Sequence, residues 1–172
     1  KASRASFGEK IVELAEKNPN IVVMDADLSE STKTSAFKKK FPDRHIEMGI
    51  AEANMIGTSG GLSFTGKIPF ICSFAVFITG RFDQIRMSVA YPKANVKIVG
   101  THAGIGIGDD GNSQMGLEDI ALMRSLANMV VLQPGDDLET KQVIEFAANY
   151  NGPIYIRLTR QNLDDFNNSS YK

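Results

Sequence analysis

The sequence predicts an α/β domain: a mostly parallel sheet with helices on both faces. Short apolar runs that read as buried strands alternate with longer stretches of helical periodicity along nearly the whole chain. The strand runs are almost continuously apolar rather than alternating, which is the pattern of strands covered on both faces. Composition agrees. The chain has 172 residues, 42% hydrophobic and 23% charged, enough for one domain with a real core.

Apolar residues at Phe7, Ile11, Leu14 and Ala15 recur at helical spacing, and Asn18-Pro19-Asn20 stops that helix. Residues 21–24 form the first strand, which ends in Asp25-Ala26-Asp27-Leu28-Ser29. A Lys-rich helix follows, with Ala36 and Phe37 facing inward and Lys38, Lys39 and Lys40 outward. Residues 44–48 are the second strand, and 51–64 carry helix periodicity. The third strand covers 68–74, and a single helix is expected over 77–90 with Phe82, Ile85, Met87 and Val89 apolar. The fourth strand is 96–99. A Gly-rich stretch, 103–116, is too long for a simple turn. A helix at 117–126, a strand at 129–132, a helix at 136–149 opened by an Asp, and a last strand at 154–158 complete the series. No repeat is visible. Residues 1–160 are read as one domain. Residues 161–172 are read as a frayed polar tail or the start of a linker to a domain absent from this chain.

Composition also excludes functions. The single cysteine, Cys72, rules out an internal disulfide framework or a Cys-based zinc cluster and suits a reducing, cytoplasmic setting. A formal net charge of −1 gives no bulk nucleic-acid or membrane surface. No apolar run approaches the ~20 residues of a membrane span. The first residue is Lys1 rather than Met and no signal peptide is visible, which reads as a piece of a longer subunit.

In open parallel sheets, sites form beyond the carboxyl ends of the strands. Strand ends here deliver Asp25, Asp27 and Ser31; Gly49 and Glu52; Phe74 and Phe77; His102, Asp109 and Asp110; Arg157 and Arg160. Such residues also serve as caps and solvated loops. Gly106-Ile107-Gly108-Asp109-Asp110-Gly111 fits the dinucleotide-loop expression, but two carboxylates would repel a pyrophosphate, and the next helix starts too late. The loop suits a neutral polyol or a cation better. Glu52 lies among small and apolar neighbours. A carboxyl kept dry there would hold a proton and donate a hydrogen bond to a ring nitrogen, though an exposed Glu in a first helical turn, favoured by the helix dipole, is the commoner case for an arbitrary glutamate. Phe74 and Phe77 could sandwich a flat heterocycle or simply be core. His102 could shuttle a proton or be a satisfied polar residue.

Four blocks occur together: Phe41-Pro42-Asp43-Arg44 running into Gly49-Ile50-Ala51-Glu52-Ala53-Asn54-Met55; Phe74-Ala75-Val76-Phe77 with Phe82-Asp83-Gln84-Ile85-Arg86; Thr101-His102-Ala103 to Gly108-Asp109-Asp110-Gly111; and Leu158-Thr159-Arg160-Gln161-Asn162-Leu163. In this order and spacing the chain resembles the pyrimidine-binding domain of transketolase, a thiamine-diphosphate enzyme of the pentose phosphate pathway, over residues 4–163. The resemblance implies a thiamine-diphosphate-binding fold and a two-carbon ketol transfer between sugar phosphates. Glu52 matches the glutamate that hydrogen-bonds the aminopyrimidine, and Phe74 and Phe77 match the aromatic pair around that ring. His102 and Asp110 match contacts to substrate hydroxyls, with His102 in a catalytic role. Arg4, Ser31 and Arg160 match the grip on the sugar phosphate, and Asp27 matches an acidic residue near the cofactor. Gly80 departs from an Arg in many members, and Gln114 from a His.

The family's Gly-Asp-Gly…Asn motif for diphosphate and Mg²⁺ is absent, so this chain supplies no metal ligands. The resemblance therefore implies the C-terminal subunit of a split transketolase, inactive alone. Its expected partner is a diphosphate-binding N-terminal subunit or domain in a homo- or hetero-oligomer. The related deoxyxylulose-phosphate synthase and a non-catalytic partner module of the same fold are the alternatives.

Overall fold

The computed structural model describes residues 1–168. Six strands form one sheet, β1 (Ile21–Asp25), β2 (His45–Glu47), β3 (Ile68–Phe74), β4 (Lys97–Thr101), β5 (Val130–Leu132) and β6 (Ile154–Arg157). Their order is β2-β1-β3-β4-β6-β5, and every pairing is parallel. The apolar runs read as strands from the sequence are therefore the sheet, within a residue or two at each end.

Alternation along the strands divides the core in two. On one face Ile21, Val23, Phe70, Cys72, Val99 and Ile156 pack against Phe7 and Ile11 of α1 (Ser3–Lys17) and Ile144 of α8 (Asp137–Asn149). On the other face Val22, Met24, Ile71, Ile98 and Tyr155 pack against Met55 and Ile56 of α4 (Glu52–Ser63) and Met123 of α7 (Asp119–Arg124). This two-sided burial explains the unbroken apolar strands.

Three expectations are corrected. The single helix over 77–90 is broken into α5 (Ala75–Thr79), α6 (Phe82–Ile85) and a π-helical turn, Arg86–Ala90. Arg81, at φ −94° and ψ 43°, leaves the helical path between the first two. The π-turn brings the Ser88 carbonyl against α4, where a Cβ on Gly60 would lie 2.5 Å from it. The Lys-rich segment forms two short helices, α2 (Ser29–Thr32) and α3 (Ser35–Lys40). Phe37 is buried as expected, but Ala36 faces solvent. Lys33, between the helices, takes a left-handed conformation with φ 69°.

The polar segment after Arg160 lies along the domain as far as Asn167. Asn162 bridges Ala2, the Leu163 and Lys1 main chains bond each other, and the Asp136 carboxylate accepts the Phe166 and Asn167 amides. The last four residues of the expected tail, 169–172, lie outside the described residues. No helix among the described residues is long and apolar enough to cross a membrane.

Candidate active site at the strand ends

The carboxyl ends of β1, β3, β4 and β6 deliver most of the candidates to one edge. Four side chains form its centre. His102, next after β4, is 2% exposed and strained at φ 56°. Its ring stacks on Phe74 with centroids 3.7 Å apart, and Phe74 stacks on Phe77 at 5.4 Å and 9° between planes. The phenyl rings therefore pack on each other. The gap is too small for a third ring between them, since two stacking contacts need about 7 Å. The expected sandwich is not formed. Phe74 is buried, and Phe77, half-buried, offers the flat surface.

Arg4 reaches this column from α1. Its Nη1 donates to His102 Nε2 at 3.0 Å and to the Ser31 carbonyl at 2.9 Å. A guanidinium can only donate, so Nε2 is the unprotonated nitrogen and Nδ1 carries the hydrogen. That hydrogen faces Thr101 Oγ1 at 2.9 Å, and the Thr101 hydroxyl points to the Ser73 carbonyl at 3.4 Å. Burial and the positive charges of Arg4, Arg160 and Lys33 push the imidazole down to about 3, so His102 is neutral. Burial, then Arg160, lowers the basicity of Arg4, and Asp110 opposes this. The Nε of Arg4 is buried without a partner.

Arg160 closes the other side, its Nε 3.6 Å from Asp110. Gly108 lets the Gly-rich loop pass so closely that a Cβ there would sit 2.6 Å from the guanidinium. Arg4, Lys33, Arg160, Gln161 and Asn162 line a cavity of about 470 Å³. Of the residues expected to grip a phosphate, Arg4 and Arg160 face one space. Ser31 enters through its carbonyl, already held by Arg4.

A second, acidic group lies at the ends of β1 and β2. Glu52, the first residue of α4, is 6% exposed, and no hydrogen bond to its carboxyl is formed among the described residues. Asp27 is exposed with φ 70°. Partial burial, then the carboxylates of Glu47, Glu52 and Asp25, holds its carboxyl above the usual range. Glu47 Oε1 accepts the Asp27 amide at 2.6 Å and the Gly49 amide at 3.4 Å, fixing the turn that introduces Glu52.

Sequence reasoning missed several supports. Glu47 ends β2 and answers to the rule that found its neighbours, whereas Lys33 lies in the turn between α2 and α3, beyond that rule. Asp25 is a strand-end candidate whose role only the fold reveals. Its carboxylate takes the hydroxyls of Thr32 at 2.7 Å and Thr34 at 2.5 Å and faces His45 Nε2 at 3.0 Å, clamping both sides of Lys33. Asp119 accepts Tyr155 Oη at 2.6 Å and Arg157 Nε at 2.8 Å, while Arg157 Nη2 donates to the Gly116 carbonyl at 3.3 Å. This network anchors the far end of the Gly-rich loop, and nothing in the local sequence pairs its members. Gln114 lies in a short 3-10 turn of that loop.

Residues 1–165 match the family described as "Transketolase, pyrimidine binding domain". The chain belongs to the transketolase pyrimidine-binding domain family. A protein of Methanocaldococcus jannaschii named as a transketolase C-terminal section is 52% identical over 165 residues, covering 95% of this chain and 52% of that protein. Human transketolase is 40% identical over 98% of this chain, which spans 27% of it. A solved structure titled as a split gene transketolase, inactive beta4 tetramer, superposes with a TM-score of 0.88 at 50% identity, over 99% of this chain and 55% of that one. The chain thus spans about half the length of these split relatives. Among the described residues no group of three or more His, Cys, Asp or Glu is arranged to hold a metal.

The residues present fit the aminopyrimidine end of thiamine diphosphate. A carboxyl lacking a protein partner at Glu52, on a residue 6% exposed, and an accessible aromatic face at Phe77 are what a flat, hydrogen-bonding heterocycle requires.

Proposed function

We infer that this chain is the pyrimidine-side component of a cytoplasmic transketolase, moving a two-carbon ketol unit between sugar phosphates. The observation that carries this is Glu52: a carboxyl on a largely buried residue at a helix start, among the strand ends, with no hydrogen-bond partner among the described residues. With no protein group bonded to it, the carboxyl keeps its hydrogen-bonding capacity for a ligand nitrogen, a bond worth roughly 0.5–1.5 kcal/mol net. Thiamine diphosphate, when bound, supplies the electron-accepting chemistry of carbon–carbon cleavage. This chain's share is binding and orientation. Glu52 shares a proton with a ring nitrogen of the aminopyrimidine, and Phe74 and Phe77 support that ring, with Asp27 beside it. Arg4 and Arg160 hold the anionic end of the sugar by forked hydrogen bonds. Ser31, His102 and Asp110 contact the substrate from the same edge.

The diphosphate and Mg²⁺ belong to an N-terminal subunit or domain. Ile50 at 82%, Ile105 at 78% and Leu117 at 57% exposure ring the strand-end edge, an apolar rim suited to such a partner. The relative titled an inactive tetramer of one split-gene chain supports the reading that two different chains are needed. Reconstitution tests it. This chain mixed with a diphosphate-domain subunit should transfer ketol units, and Glu52→Gln should reduce the rate at least about a hundredfold with the circular-dichroism spectrum unchanged. Near wild-type transfer by that variant would refute the role. By calorimetry the chain alone should bind thiamine diphosphate weakly, and tight Mg²⁺-dependent binding would refute the division of labour.

A further inference from the structure

Lys33 is an unexpected member of the cationic cavity. It stands in the turn between α2 and α3, in a left-handed conformation that lysine adopts only under constraint. Two features impose that constraint. The Asp25 carboxylate holds the hydroxyls of both flanking residues, Thr32 and Thr34. From the other side α1 presses on the turn, and a Cβ on Gly8 would lie 2.4 Å from the Lys33 carbonyl. Clamped in this way, Lys33 lines the same cavity as Arg4 and Arg160, and no acidic side chain among the described residues pairs with it. Its charge reaches the neighbouring imidazole, which it helps keep neutral.

Charge decides what such a cavity holds. Arg4, Lys33 and Arg160 bring three positive charges, and Asp110, 3.6 Å from Arg160, brings one negative. Lys1, also on the rim, is already engaged by Glu9 and by Asp137. His102 is uncharged. The cavity therefore carries a surplus of two positive charges. A phosphomonoester above its second pKa of about 6 carries two negative charges. A sulfonate of similar size and acceptor geometry carries one at any pH. Without Lys33 the surplus falls to one, and the reason to prefer the dianion goes with it.

We propose that Lys33 is a specificity-determining residue that makes this cavity select a doubly charged terminal group, a phosphomonoester dianion, over singly charged isosteres. The identity of the sugar rests on the function proposed above, but the charge selection does not.

The experiment uses Lys33→Asn, since asparagine tolerates the left-handed backbone, with Lys33→Arg as the rescue. In the two-subunit enzyme the readout is kcat/KM for a ketose phosphate divided by that for the matching ketose sulfonate. The ratio should fall about tenfold in Lys33→Asn at about pH 7.5, through KM, and recover in Lys33→Arg. At about pH 5, where the phosphate is largely a monoanion, wild type and variant should converge. A ratio unchanged within about twofold at the higher pH overturns the inference. If the wild-type pair transfers no ketol from any sugar, the proposed function fails, and the inference is decided on the chain itself. Methyl phosphate and methanesulfonate are then titrated at the higher pH while the ¹⁵N resonances of His102 are followed. Selective, Lys33-dependent binding of methyl phosphate supports it. Equal or absent responses to the two probes overturn it.

Discussion

His102 should make the domain acid-sensitive, and the effect can be worked from its surroundings. The ring is 2% exposed, stacked on Phe74, and ringed by Arg4, Arg160 and Lys33, with its proton affinity pushed down to about 3. In the unfolded chain it would titrate near about 6.5. The unfolded state therefore binds more protons between those two values, and stability falls as pH drops through that window. From pH 7 to pH 5 the loss is about 2 kcal/mol, following the roughly 1.36 kcal/mol per pH unit of linkage. Chemical denaturation at the two pH values measures it, and the difference between wild type and His102→Asn isolates this residue, since asparagine accepts the positive φ. The variant should lose about 2 kcal/mol less than wild type over the interval. The same ring carries a second test. Arg4 can only donate, so ¹⁵N spectra should show hydrogen on Nδ1 and none on Nε2 at about pH 6. A His102 midpoint above about pH 5, or the opposite tautomer, would refute the argument. Arg4→Met should move the midpoint back toward the ordinary value, because it removes both a charge and the donor to Nε2.

Two further changes test the frame around the site. Gly8→Ala should cost about 1–3 kcal/mol in urea unfolding, because its methyl would meet the Lys33 carbonyl at 2.4 Å and α1 would have to shift. Lys97→Met should cost about 3 kcal/mol despite removing a buried charge. Burial pulls that ammonium down to about 7, but Nζ donates to Asn95 Oδ1 at 2.6 Å and to the Tyr150 and Gly152 carbonyls at 2.7 Å each; the variant strands the two carbonyls, while Asn95 Oδ1 keeps the Gly152 amide at 3.2 Å. A Lys97→Met protein as stable as wild type would show that the ammonium contributes nothing to the join of β4 and the α8–β6 turn.

Much of the fold is legible because a parallel sheet writes itself into sequence locally. Runs such as Ile68 to Cys72 have little other use in a chain with helices between them, although β3 ends at Phe74 while apolar residues continue through Ile78 into α5, so the run marks the strand but not its end. The stretch 77–90 misleads because its apolar period continues through Gly80 and Arg81. The break depends on α4, distant in sequence but packed against the π-turn, where the Ser88 carbonyl approaches Gly60. Periodicity describes one face of one element and is blind to such a demand. The site shows the same division. Glu52, His102, Arg4 and Arg160 stand out by residue type at strand ends, yet their contacts join residues as far as 98 positions apart, as Arg4 and His102 do. No spacing rule could give the tautomer of that ring.

The supports are the least legible, and they determine what the site can do. Asp25 reads in sequence like a candidate acid at a strand end. In the fold both of its oxygens are engaged, by Thr32, Thr34 and His45, so it has little to offer a ligand. Glu52 reads like an ordinary helix-start residue, and in the fold its carboxyl has no hydrogen-bond partner among the described residues. Both residues are buried and lie on the same edge. What separates a positioning group from a ligand-binding one here is therefore not burial or charge but whether its hydrogen bonds are already spoken for. By that criterion Asp119, which accepts from Tyr155 and Arg157 through one oxygen and leaves the other buried and unpaired, is only half committed. Its paired oxygen holds Tyr155 and Arg157, and through Arg157 the closing end of the Gly-rich loop, which places it with Asp25 among the supports rather than with Glu52.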